Sequence, residues 1–102
     1  MEKKELHELM SITAEECAEL TQVCMKIVRF GFNNEYKDKR PWLIEEAGDV
    51  LCMLKCMAEN ELVTWEELEE RAEYKRNKLK KWSKLIDNQS EERRLSYHPL
   101  RK

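Results

Sequence analysis

Apolar residues recur at intervals of three and four along the first thirty positions, with one gap of eight between Ile12 and Leu20: Leu6, Leu9, Ile12, Leu20, Val23, Ile27 and Phe30. That period predicts an amphipathic helix from about Lys3 to Phe30. Thr13-Ala-Glu-Glu16 fits a capping box. The helix therefore either begins at Thr13 or runs on, straight or kinked, through the upstream leucines. Gly31 is a suitable stop, and FNNEYKDKR reads as a polar loop. Pro41 suits the first position of a second helix extending to about Asn60. A third helix is expected to open at the capping box Thr64-Trp-Glu-Glu67 and to run through Trp82 to about Ile86. Its apolar line is Leu68, Ala72, Leu79, Trp82 and Ile86. The remainder, DNQSEERRLSYHPLRK, is too polar to hold itself down. Residues 1–86 are thus expected to form one domain, and 87–102 a flexible tail or a segment docked on a partner subunit.

Carboxylates interrupt this pattern. At about 100° per residue, Glu16 falls on the line joining Leu9, Val23 and Ile27, and Glu19 lies on the edge of the same face. On the second helix Glu46 falls between Met53 and Met57, with Asp49 on the matching edge. Shifting the chain by thirty positions lays Glu15-Glu16-Cys-Ala-Glu19-Leu20 over Glu45-Glu46-Ala-Gly-Asp49-Val50. The same placement of acids within an apolar stripe is used twice.

Composition narrows the class. The chain has 102 residues, 39% of them charged, with only 2 glycines and 2 prolines. These values favour an all-α domain over a sheet protein. A net charge of −2 offers no global attraction for nucleic acid. No apolar run approaches the ~20 residues that span a bilayer, and MEKKELHELM has no signal-peptide core. No nucleic-acid or membrane partner is expected, and a cytoplasmic location is the default. Cys17, Cys24, Cys52 and Cys56 form no CxxC pair. They are expected to be buried, reduced, small apolar residues, the alternative being a four-thiolate zinc site. His7 and His98 are expected at the surface.

Two readings of the acids compete. Carboxylates in first turns complement helix dipoles and make caps, which accounts for Glu15, Glu16 and Glu45. It leaves Glu19 and Asp49 unexplained. In the other reading the helices pack antiparallel and converge Glu16, Glu19, Glu46 and Asp49, which cannot all ionise without a counter-cation. Hard oxygen ligands without nearby His or Cys favour Mg²⁺, with Mn²⁺ as a substitute. Mg²⁺ is commonly shared with substrate phosphates, so a phosphate-bearing substrate follows. Lys75 lies within the apolar line of the third helix, Lys78 beside it, and Lys26 on Glu19's side of the first. Each is either a lysine whose stem packs on apolar surface or a phosphate ligand.

These residues resemble the all-α nucleoside triphosphate pyrophosphohydrolases, the MazG-like superfamily that includes dCTP pyrophosphatases and dimeric dUTPases. The family pattern, ExxE followed by ExxD, is Glu16-Cys-Ala-Glu19 and Glu46-Ala-Gly-Asp49 here, with 26 residues between. Glu15 and Glu45 complete the EExxE and EExxD style. KIVRFG and KLKKWS are similar to segments of small phage and bacterial members. The likeness covers roughly residues 10 to 83. It implies that Glu16, Glu19, Glu46 and Asp49 bind Mg²⁺ and that Lys75 contacts the triphosphate. The implied reaction hydrolyses the α–β phosphoanhydride of a (deoxy)nucleoside triphosphate to the monophosphate and pyrophosphate. Glu15 or Glu16 orients or deprotonates the attacking water. The chain departs from the doubled MazG enzymes in its single-domain length and carries no recognisable base-selecting signature.

The expected fold is an antiparallel helical hairpin with a third helix packing across it. A hairpin alone buries little surface, so a homodimer with a four-helix-bundle core is expected, with pairing into a tetramer as a further step. The alternatives are a non-catalytic helical interaction module, a metal-binding bundle without hydrolysis, and phosphoribosyl-ATP pyrophosphohydrolase.

Overall fold

The computed structural model describes residues 1–34 and 37–96. Helix α1 runs unbroken over Lys3–Phe30. Thr13 is inside it, not at its start, and its hydroxyl donates to the Leu9 carbonyl at 2.7 Å. With its side chain turned back along the helix, Thr13 cannot cap the following turn, and the longer of the two expected helices forms. Gly31 stops α1 at a positive φ of 87°, a conformation glycine adopts without steric cost. Its N–H donates to the Ile27 carbonyl at 2.8 Å.

The polar loop contains a short antiparallel pairing not anticipated from its sequence. Strands β1 (Asn33–Asn34) and β2 (Lys37–Asp38) pair Asn33 with Asp38 and Asn34 with Lys37. Asp38 then accepts a hydrogen bond from the Arg40 N–H at 2.9 Å, and α2 spans Arg40–Glu59 with Pro41 in its first turn. It ends as the Leu62 N–H reaches back to the Met57 carbonyl and Glu61 takes a positive φ of 61°. This is the closing pattern that more often carries glycine.

The chain forms two compact units, Met1–Thr64 and a second beginning at Trp65. The first is the α1–α2 hairpin, held together along a narrow seam. Val23 is completely buried and Leu9 nearly so, with Ile12, Leu20, Ile27, Val50 and Met53 half-buried around them. Near one end of the hairpin, Glu5, Leu9 and Ile12 of α1 line a cavity of about 220 Å³ with Met53 and Cys56 of α2 and Asn60 just beyond its end. Residue numbers rise along one helix as they fall along the other, so the pair is antiparallel.

In the second unit, α3 spans Trp65–Trp82. It stops short of the expected Ile86 because the Ser83 hydroxyl accepts the Leu85 N–H at 3.0 Å, turning the backbone away from the helical path. The segment expected to be a loose or partner-docked tail is helical over Asn88–Ser96, here α4. Asp87 and Ser90 cap it reciprocally: Ser90 N–H donates to Asp87 Oδ1 at 2.8 Å, and Asp87 N–H to Ser90 Oγ at 2.7 Å. Glu91 lies 3.2 Å from Arg76 and 3.5 Å from Lys80, and Arg94 pairs with Glu73. The segment's own charges therefore tie it to α3. His98, with residues 97–102, lies outside the described residues. Among the described residues, no helix is long and apolar enough to cross a membrane.

Candidate metal centre

The antiparallel register of α1 and α2 places Glu16 beside Asp49 and Glu19 beside Glu46. One carboxylate oxygen from each of the four lies within 4.8 Å of the others. The i, i+3 spacing on each helix supplies two acids to one face, and the packing of Leu9 and Val23 on either side holds the two faces together.

This environment opposes ionisation. Glu46 is 5% exposed, and its carboxyl is pushed up to about 7, by loss of solvent first, then by contact with Glu19 and Glu45. Glu16, half-buried, is shifted in the same direction by loss of solvent, then by the charges of Glu19 and Asp49. The Oε2 atoms of both Glu16 and Glu46 are buried without a hydrogen-bond partner. Buried acceptors are nearly always satisfied in folded proteins. Two orphaned carboxylate oxygens facing two further acids are satisfied together if a cation sits among them.

The donor set fits such an ion. It is all oxygen, the preference of Mg²⁺ and Mn²⁺. Oxygens on opposite sides of an octahedral Mg²⁺ at ~2.1 Å are ~4.2 Å apart. Atoms already within 4.8 Å of one another are near enough to share one ion. Helix-dipole and capping roles fit these acids poorly, because α1 starts at Lys3 and places Glu16 and Glu19 well inside the helix.

The other residues singled out from the sequence are placed as follows. Glu15 and Glu45 are exposed on the flanks of the cluster, where their charges raise Glu16 and Glu46 respectively. Lys26 is exposed on α1, its Nζ 5.7 Å from the centre of the Phe30 ring. Lys75 and Lys78 lie on α3 in the second unit and, with Leu79 and Trp82, line a cavity of about 200 Å³. Lys78 Nζ is 5.4 Å from the Tyr74 ring centre. Lys75 is exposed despite its place in the apolar line.

The expectation for the cysteines is corrected. Cys17, Cys24 and Cys52 are exposed and Cys56 half-buried, and all four are free thiols. Burial, followed by its neighbour Cys52, raises the Cys56 thiol above its ordinary range. The acid quartet is the one candidate metal-binding group among the described residues, so a four-thiolate zinc site is not assembled. Compared with family models, curated proteins and solved structures, the chain matches none.

Proposed function

We propose that this protein is a Mg²⁺-dependent nucleoside triphosphate pyrophosphohydrolase that cleaves the α–β phosphoanhydride to a nucleoside monophosphate and pyrophosphate. The observation that carries the reading is the convergence of Glu16, Glu19, Glu46 and Asp49 within 4.8 Å, with two buried oxygens unpartnered. One buried, one half-buried and two exposed acids meet there, and a cation held only by carboxylates keeps coordination positions for water and phosphate.

In this reading the four acids hold the metal, which supplies Lewis acidity that offsets phosphoryl charge and makes water a better nucleophile at neutral pH. The attacking water gives its proton to a carboxylate of this chain. Glu16, within the quartet, and Glu15, on its exposed flank, are the two candidates for that acceptor. The water oxygen bonds to a phosphorus of the anhydride, the bridging P–O bond breaks, and pyrophosphate leaves. Lys75, Lys78 and Lys26 are the cations of this chain assigned to the phosphates. The rigid helices hold the carboxylates in place before substrate arrives, which limits reorganisation during reaction.

The test is pyrophosphate release from a panel of canonical and modified nucleoside triphosphates with and without Mg²⁺, on wild type, Glu19→Gln and Asp49→Asn. Both substitutions keep side-chain size while removing a ligand charge. Activity is expected to fall about a hundredfold or more, the scale seen when preorganised charge stabilisation is lost. The apo variants should be as stable as wild type or more so, because one repulsion is gone. A fully active Glu19→Gln protein with unchanged Mg²⁺ dependence would overturn the assignment. Mg²⁺ stabilisation without hydrolysis of any nucleotide would leave a metal-binding module in its place.

A further inference from the structure

Helix α4 is fastened to α3 by charge, and the fastening is uneven. Glu73, Arg76 and Lys80 are spaced three and four on α3 and share one face. Glu91 and Arg94, spaced three on α4, meet that face within the same compact unit. Glu91 Oε1 stands 3.2 Å from Arg76 Nε and 3.5 Å from Lys80 Nζ, and its Oε2 stands 3.7 Å from Arg94 Nη1. Arg94 also pairs with Glu73. The network sets three cations against two carboxylates, and all three cations share Glu91.

Arg76 is the member left incomplete. Its Nε donates to Glu91, but its Nη2 is buried and has no hydrogen-bond partner among the described residues. Nε–H and Nη2–H lie along one edge of the guanidinium, spaced to take two oxygens of a single anion. Glu91 fills half of that edge, because its second oxygen is turned toward Arg94. A carboxylate has two oxygens and cannot close the Arg76 edge and reach Arg94 together. Buried donors are seldom left open in folded proteins. Ion pairing of α4 to α3 accounts for every other contact of the network and leaves this one unexplained.

We infer that Arg76, Lys80 and Arg94 form a binding site for a tetrahedral oxyanion of the phosphate class, with Glu91 as its built-in competitor. A phosphate group has oxygens enough for all the donors: two for Nε and Nη2 of Arg76, and others for Lys80 and Arg94. It carries about −1.5 to −2 at neutral pH, more than the single charge of a carboxylate, which suits the surplus cation. The Glu91 side chain is 36% exposed, so it can turn into solvent as the anion enters, while the pairing of Arg94 with Glu73 keeps α4 in place. Lys75 and Lys78 stand about 140° to 160° round α3 from Glu73, so the site is separate from the cations assigned to the substrate. It uses none of the quartet carboxylates and is independent of what they bind.

The test is anion binding by the full chain with EDTA present, so that metal at the quartet plays no part. Inorganic phosphate, pyrophosphate and a nucleoside monophosphate are titrated separately by isothermal calorimetry, with sodium chloride at matched ionic strength as the control. Wild type should bind at least one of the three with a dissociation constant below about 10 mM. Arg76→Gln should weaken that binding about tenfold or more, the loss expected for a charged hydrogen-bond partner. Glu91→Gln keeps the side-chain size, removes the competing charge, and should tighten binding about threefold or more. Whichever of the three binds most tightly identifies the source as free phosphate, a phosphoanhydride or a phosphate ester, and each supports the inference. Wild type that binds none of them, or responds equally to chloride, overturns it. So does binding that Arg76→Gln leaves unchanged, or that Glu91→Gln fails to tighten. If Arg76→Gln loses helix by circular dichroism, Glu91→Gln decides: tighter binding supports the site, and unchanged or weaker binding overturns it.

Discussion

Cation binding at the acid quartet should expel a proton, and the affinity should therefore depend steeply on pH in the neutral range. Glu46 takes up its proton near pH 7 in the folded chain, against an ordinary 4.5, and a protonated carboxyl is not a metal ligand. At pH 8 roughly a tenth of the molecules carry that proton, and at pH 5 about 99 in 100 do. The apparent affinity for Mg²⁺ is then expected to fall about tenfold from pH 8 to pH 6, and close to a hundredfold by pH 5. Glu16 is shifted in the same direction and steepens the dependence. Isothermal titration calorimetry with Mg²⁺ or Mn²⁺, in buffers of different ionisation enthalpy, measures both the affinity and the protons released. Near pH 6 about one proton per ion should reach the buffer. Affinity constant within twofold between pH 6 and pH 8, with no proton released, would refute the reasoning, since an ion bound elsewhere would not compete with Glu46.

Two further outcomes follow from the hairpin. A carboxyl whose folded value is raised destabilises the native state once the unfolded chain ionises. The metal-free protein should therefore lose stability as pH climbs from 4.5 toward 7, while Glu46→Gln, followed by thermal melts across that range, should lose much less; identical profiles would contradict the assigned shift. Gly48 lies inside α2, and a Cβ built there meets nothing within 4 Å, so Gly48→Ala should raise stability by about 0.5–1 kcal/mol in urea unfolding, and a loss would show that the position is already in contact.

The acids were legible because burying a carboxylate is costly, and four of them at i, i+3 on two apolar stripes single themselves out. Which face each helix turned to the other was legible for the same reason. Thr13 was ambiguous because a threonine followed by Glu16 reads equally as a cap or as a mid-helix residue with its hydroxyl bonded back, and only the continuity of α1 decides. The exposure of the cysteines was not legible, because free cysteine is usually buried and Cys17 and Cys24 stand about 80° to 100° round α1 from Glu16, off the stripe that α2 covers. Helix α4 was missed because its composition is polar but for Leu95. Its stability comes from the Asp87–Ser90 cap and from Glu91 and Arg94 meeting α3, pairings that no local pattern announces. The lysines lie at exposed positions, where packing does not specify a residue; the family resemblance singles out Lys75, while Lys78 and Lys26 rest on their places around the helices.

The quartet has an approximate two-fold symmetry. Exchanging α1 with α2 carries Glu16 onto Glu46 and Glu19 onto Asp49, and it turns the Glu16–Asp49 pair into the Glu46–Glu19 pair. Two departures break the equivalence. Asp49 is one methylene shorter than Glu19, and Glu46 is buried where Glu16 keeps partial contact with solvent. The quartet consequently has one acid shut off from water and three that reach it. Glu46 has the most to gain from an ion, because water cannot otherwise relieve its charge.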